Sequence, residues 1–276
     1  MIEKQNYITR GGVYFLLSLL TLITLLPFIW MLSSSLKYDT DVFSVPIRWI
    51  PQNPVWGNYA EIWQKINFTL FIFNSFKLSV IITIIQVLTC SFAAYGFTKC
   101  RFPGRDTLFF LYVATIAIPW QVYMLPQYVE MRMMRLTNSH LGYVFMHCFT
   151  AFGVFLVRQF YVSIPDELLD AARIDGLNEY GAFFRIVLPL SKPVLATLTI
   201  FTFVNIWNDF MGPMIYFDSM RLKTIPLGIR MFLGQYSTEY GLIMAASVVS
   251  LVPVFVVFPM FQRFFVEGIA TTGLKG

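Results

Sequence analysis

A helix needs about 20 apolar residues to cross the hydrocarbon core of a bilayer, and this chain holds six apolar runs of about that length. They fall at 13–35, 75–97, 107–127, 142–161, 193–217 and 241–265. Backbone that enters lipid must satisfy its own N–H and C=O groups, and long unalternating runs do so as helices. The expected fold class is therefore an all-α membrane protein with six transmembrane helices. Composition agrees: 57% of the 276 residues are hydrophobic and only 13% are charged, against about a quarter charged in a soluble domain. A water-soluble globular enzyme, a disordered chain and a collagen-like chain are excluded. The first run is too long for a signal sequence and lacks a small-residue cleavage site, so it is expected to stay as an anchor helix.

An even number of crossings puts both termini on one side. The face carrying the termini and the 98–106 and 158–192 loops holds slightly more of the 20 basic residues than the other, which favours cytoplasmic termini. Prolines at 27, 119, 126, 253 and 259 fall inside the runs. A proline breaks the helical ladder, which membranes tolerate where protein or a water-filled cavity covers the break. That suits a transporter, although static bundles kink too.

Cys90, Cys100 and Cys148 form no CxxC and read as free thiols. His140 and His147 have no cysteine or carboxylate at ligand spacing, so no metal site is expected. Neither a G-x-x-x-x-G-K-[ST] nor a G-x-G-x-x-G motif occurs. No catalytic residue is assigned, and any energy source must lie in another chain.

The most informative stretch is the connection at 163–189, before the fifth run. Pro165 suits a first helical turn, and Asp166 and Glu167 complement its dipole. Leu168, Leu169, Ala172 and Ile174 supply an apolar side. Gly176 follows Asp175 where a helix needs a left-handed residue to stop. Asn178 can cap a second helix carrying Phe183, Phe184 and Ile186, which Pro189 is expected to end. A connection this long, built as an amphipathic helix pair, suits either a plug for another protein's groove or a pair lying on the membrane surface.

The pattern Asp170-Ala171-Ala172-x-x-Asp175-Gly176, with Ile186-x-Leu188-Pro189 after it, resembles the EAA loop of binding-protein-dependent ABC importer permeases. Asp170 stands where Glu is commoner, and Leu177 where a small residue usually follows the glycine. Further similarity covers nearly the whole chain: Pro51-Gln-Asn-Pro54, Asn58-Tyr59, Asn74-Ser75, Ala93-Ala-Tyr95, Phe102-Pro-Gly-Arg105, Ile118-Pro119, Pro126-Gln-Tyr128, Trp207-Asn208, Pro226-Leu-Gly228, Gln262-Arg-Phe-Phe-Val266 and Gly273-Leu-Lys-Gly276. This set resembles the carbohydrate branch, and within it the second, maltose-importer-like permease of a pair.

The resemblance implies a single transmembrane domain over 1–276, with 163–189 as a cytoplasmic coupling loop. It implies a bacterial inner (plasma) membrane location and cytoplasmic termini. The implied partners are a second permease, two ATPase subunits, an extracellular or periplasmic solute-binding protein, a sugar or oligosaccharide, and membrane lipid, without nucleic acid. No cofactor is implied in this chain; ATP and Mg²⁺ belong to the ATPase partners. Asp170, Ala171, Ala172, Asp175, Gly176, Ile186, Leu188 and Pro189 are the expected ATPase-coupling residues, and the tail at 268–276 is expected near the same interface.

For the solute path, polar residues at membrane depth are the candidates: Gln86, His147, Asn205 and Asn208, with Asn205 and Asn208 preferred and Trp207 beside them as a stacking face. Asp209 falls near the outer interface, where a hydrated carboxylate is expected. Two other readings are an ion-coupled secondary carrier, for which mid-span charges and a clear internal repeat are missing, and a non-conducting structural membrane subunit, which leaves the long loop without a purpose.

Overall fold

In a computed structural model, residues 2–234 and 238–272 are described, and their regular structure is helical without a strand among them. The all-α expectation holds. Three helices are long and apolar enough to cross a membrane unbroken: Arg10–Ser34, Phe68–Lys99 and Tyr240–Met260. Three helix pairs pass the same test together but are bent: Arg105–Ala117 with Trp120–Met133 by 103°, His140–Met146 with Ala151–Val162 by 46°, and Glu179–Leu190 with Lys192–Trp207 by 78°. Each bent pair counted as one crossing brings the total to six.

The breaks have local causes, and most prolines are not among them. Helices run through Pro27, Pro126, Pro253 and Pro259. Only at Pro119 does the expected 107–127 helix divide. Ile118 is extended there (φ −89°, ψ 110°), as the residue before a proline prefers, and Pro119 opens the next helix. The 142–161 run breaks near His147 and Cys148, and helix Phe68–Lys99 takes up the freed carbonyls. The Gln86 amide donates to the His147 carbonyl at 2.8 Å, and the Thr89 hydroxyl donates to that of Cys148. The 193–217 run also divides. Lys192–Trp207 is 16 residues, about 24 Å at ~1.5 Å per residue, and Met211–Tyr216 resumes after a turn at 208–210.

The chain divides into two compact units. The first comprises 1–68 and 228–252. There the Asn58 amide donates to the carbonyls of Ser35 (2.9 Å) and Lys37 (3.0 Å), in the segment that follows helix Ile2–Ser34. Asp39 accepts from the Gly241 N–H at 2.8 Å, placing a carboxylate at the start of helix Tyr240–Thr272. Gly241 is required: a Cβ there would stand 2.7 Å from the Lys37 carbonyl oxygen and 2.9 Å from the Asn58 amide nitrogen. Lys65 pairs with Glu61 and Glu239, and the Glu239 hydrogen bond holds its ammonium above its usual pKa.

The second unit comprises 69–227 and 253–276. One core joins Cys90, Ala94 and Tyr95 of helix Phe68–Lys99 to Val154, Val157 and Tyr161, to Leu169, Phe183 and Val187, and to Val194 and Leu198. A second core gathers Leu78, Ile82, Met131, Tyr143, Ile206, Tyr216 and Phe217. Asn74 donates to the carbonyls of Arg221 and Lys223, and Ser75 accepts from the Ile225 N–H.

Candidate functional site

The 163–189 connection folds as a short helix, a glycine turn and a second helix. Asp166–Ile174 is the first helix, with Pro165 in the capping position just before its first turn. Its termination follows from Gly176, whose φ is +81°. The Leu177 N–H donates to the Ala172 carbonyl (2.9 Å) and the Gly176 N–H to that of Arg173 (3.0 Å), the two bonds of a Schellman stop. Asn178 then caps helix Glu179–Ala182, its side chain accepting from the Gly181 N–H at 2.8 Å.

The second helix differs from expectation at its end. It widens into a π turn over Phe183–Val187 and continues through Leu188–Leu190, so Pro189 lies within it. Pro189 has no N–H to offer the Arg185 carbonyl, which suits a wide turn placed just before it. The helix stops at Ser191, where the 78° bend begins.

The first helix is amphipathic in two senses. Leu169 (1% exposed) and Ala172 (3% exposed) face the protein. Leu168, Ala171 and Ile174, three residues apart along the opposite stripe, face outward, and Ile174 is 88% exposed. The single apolar side read from the sequence is therefore two. Of the expected coupling residues, Asp170, Ala171, Asp175 and Gly176 are exposed together, and Pro189 is exposed further along. Ala172 is turned inward, and Ile186 and Leu188 are half-buried.

Ion pairs and hydrogen bonds tie this loop to helix Phe68–Lys99. Arg173 bonds Asp170 (2.8 Å) and Glu179 (3.0 Å), joining the two loop helices. Glu179 also accepts from the Tyr95 hydroxyl at 2.6 Å. Lys99 donates to the Ile164 carbonyl and to Asp166, both at 2.6 Å. The Lys99 hydrogen bond holds the Asp166 carboxyl below its usual pKa.

A cavity of about 610 Å³ opens elsewhere in the second unit, lined by Gln86, Trp120, Gln127, His147, Asn205 and Asp209 among others. Gln86 is fixed by His147 and accepts from the Thr202 hydroxyl at 3.0 Å. Trp120 donates its indole N–H to Gln127 at 3.0 Å. Asn205 lines the cavity and Asn208 does not: the Asn208 amide turns back to the Val204 carbonyl at 3.0 Å. Trp207 is 2% exposed and stacked on Phe203, so it offers the cavity no face. Asp209 is not merely hydrated. The Tyr143 hydroxyl donates to its Oδ2, and the Gly212 N–H donates to its Oδ1 at 3.1 Å.

Trp120 and Gln121 were not among the residues singled out from sequence, and Gln127 entered only within the Pro126-Gln-Tyr128 resemblance, without a role. The available signal was three amide or indole side chains within one apolar run, two of them seven residues, or two helical turns, apart. Residues 273–276, on which part of the C-terminal resemblance rests, lie outside the described residues.

Broken apolar helices, a cavity among them lined by aromatic and amide side chains, and a braced exposed loop define a multi-pass membrane transport subunit. The family model described as "binding-protein-dependent transport system inner membrane component" matches residues 86–271, and the chain belongs to that family. Among its relatives is the arabinooligosaccharides transport system permease protein AraQ of Halalkalibacterium halodurans, 32% identical, with 92% of each chain covered. The sulfoquinovosyl glycerol transport system permease protein SmoH of Agrobacterium fabrum is 33% identical over 94% of this chain and 92% of its own. The sn-glycerol-3-phosphate transport system permease protein UgpE of Yersinia enterocolitica is 35% identical, covering 84% and 85%. The fold matches a chain of a solved bacterial ABC transporter involved in the import of the acidic polysaccharide alginate. The TM-score is 0.82 at 22% identity, covering 95% of this chain and 98% of that one.

Proposed function

We propose that this chain is one of two permease subunits of an ATP-driven importer for a sugar or oligosaccharide. An extracellular or periplasmic binding protein delivers the solute, and two ATPase subunits drive the permease pair between inward-open and outward-open forms. ATP and Mg²⁺ reside in those ATPase subunits, and this chain carries out no chemistry. In this reading both termini and the 163–189 loop are cytoplasmic, in a bacterial inner membrane.

One observation carries the coupling role. Helix Asp166–Ile174 buries Leu169 and Ala172 in the chain's own core while Leu168, Ala171 and Ile174 point outward. A stripe of apolar side chains on a short, braced helix is the form a partner's groove accepts. Ala171 and Gly176 allow close backbone approach, and Asp175 stands exposed beside them. Asp170 is also exposed but already shares its carboxylate with Arg173, so it offers its remaining lone pairs to a partner. The inner cavity, with Gln86, Gln127 and Asn205 on its wall, is the solute path: amides both donate to and accept from hydroxyl groups.

The test is a cysteine at position 174 in the assembled importer. Oxidative or short bifunctional cross-linking should join it to an ATPase subunit, and a membrane-impermeant thiol reagent applied outside intact cells should leave it unmodified. A cross-link only to lipid-facing or outer partners, or labelling from outside, overturns the assignment.

A further inference from the structure

We infer that Asp209 is a specificity-determining residue that makes this cavity a path for uncharged polyhydroxyl solutes and turns anionic ones away. The inference rests on the reading of the cavity as the solute path. Among the described residues lining it, Asp209 is the only one with a carboxylate, and none is Lys or Arg. His147 donates its Nδ1–H to the Tyr143 carbonyl at 2.9 Å.

Asp209 is held by neutral donors alone, the Tyr143 hydroxyl and the Gly212 N–H. Its charge is therefore oriented and not cancelled. Tyr143 is 1% exposed and locked in a core with Leu78, Ile82 and Phe217, so the carboxylate cannot easily swing away. Gly212 makes the arrangement possible. A Cβ there would stand 2.4 Å from Asp209 Oδ2 and 3.0 Å from a Tyr143 ring carbon. The wall around it is otherwise uncharged: the amides Gln86, Gln121, Gln127 and Asn205 stand among aromatic and aliphatic side chains such as Phe149 and Phe201.

Each carboxylate oxygen, with one donor already bound, keeps lone pairs for a solute hydroxyl. A phosphate, sulfonate or uronate in the same place meets an uncompensated like charge. At ~5 Å and an effective dielectric constant of ~20, that repulsion disfavours the anion by about two orders of magnitude. The printed solutes of the relatives and of the structural neighbour include one neutral oligosaccharide and three anionic ones, a sulfonate, a phosphate ester and an acidic polysaccharide; it is the lone Asp209 carboxylate, with no Lys or Arg among the described lining residues, that sets this chain with the neutral class.

The test reads the charge of the cavity directly and does not pass through the binding protein. In the nucleotide-free importer, with Cys90, Cys100 and Cys148 replaced by serine, Asn205→Cys is labelled with a cationic (ethyltrimethylammonium) and an anionic (ethylsulfonate) methanethiosulfonate reagent. The ratio of rates, normalised to free cysteine, should favour the cation by roughly tenfold or more. Adding Asp209→Asn should return it close to the free-cysteine ratio. A normalised ratio near one in the chain that keeps Asp209 overturns the inference, and this arm needs no change to the carboxylate. A cation preference that survives Asp209→Asn overturns it as well. Labelling without charge selection leaves the solute-path reading standing, whereas failure of both reagents to label position 205 sinks both.

Discussion

The Tyr95 hydroxyl of helix Phe68–Lys99 donates a 2.6 Å hydrogen bond to Glu179, the first residue of the second loop helix. Glu179 is in turn bound by Arg173, and Arg173 by Asp170. A polar chain thus runs from the inside of a long membrane helix to the exposed carboxylate of the loop. Alongside it, Phe183 stacks on Phe92 at 4.4 Å, so an apolar contact follows the same route. In the proposed importer, a push on Asp170 or its neighbours passes along these contacts to helix Phe68–Lys99, whose Gln86 lies on the cavity wall.

Tyr95→Phe removes the hydroxyl and little else. A hydrogen bond to a charged group contributes about 1.5–3 kcal/mol, so substrate-stimulated ATP hydrolysis by the reconstituted importer should fall by about tenfold. Subunit assembly, followed by co-purification, should be unchanged. Wild-type coupling in this variant would show that the Tyr95–Glu179 bond transmits nothing.

At Gly176 a Cβ meets nothing within 4 Å, so space is not the constraint; φ of +81° is. Gly176→Ala should cost about 1–2 kcal/mol of local stability and reduce uptake without abolishing it. Gly176→Pro cannot adopt that φ and also removes the N–H bonded to Arg173, so uptake should be lost. Equal uptake by the two variants would contradict the left-handed stop as the reason for the glycine.

Two leucine-type side chains on one helix should behave oppositely. Ile174→Asp alters a residue that is 88% exposed, so thermal stability of the purified chain should hold while ATPase subunits no longer co-purify. Leu169→Ala empties a fully buried site, with a cost of about 2–5 kcal/mol, and should lower the unfolding temperature first. If Ile174→Asp retains the ATPase subunits at wild-type stoichiometry, the outward stripe is not the docking face.

Acid should release the start of the loop. Asp166 has its folded pKa depressed by Lys99. A depressed carboxyl contributes stability that is fully present above its unfolded value, near ~4, and is lost as pH falls through the folded value. Amide hydrogen exchange over 163–170, corrected for intrinsic rates, should be flat from pH 8 to 5 and accelerate only below about pH 4. Lys99→Met should remove that acid-dependent step. Acceleration already between pH 7 and 6 would point to a different titrating group.

Much of this molecule was legible from its chain of residues because the bilayer simplifies the problem. Runs of about 20 apolar residues leave helix as the consistent choice, and the all-α class followed from length and hydropathy alone. The loop was legible for a different reason: Gly176 and Asn178 act within a few residues of themselves, through a stop and a cap that need no distant partner. Tertiary structure decided what depends on residues far apart. Which apolar side of helix Asp166–Ile174 is buried was set by the core it meets, so Leu169 and Ala172 turn in while Leu168 and Ile174 turn out. The break near 147 is completed by Gln86 from another helix, and the turn at 208–210 is one that no periodicity reports. Asp209 shows the difference most clearly. Its position in the chain suggested a carboxylate in water, whereas Tyr143, 66 residues away, and the backbone of Gly212 hold the side chain in place on a cavity wall.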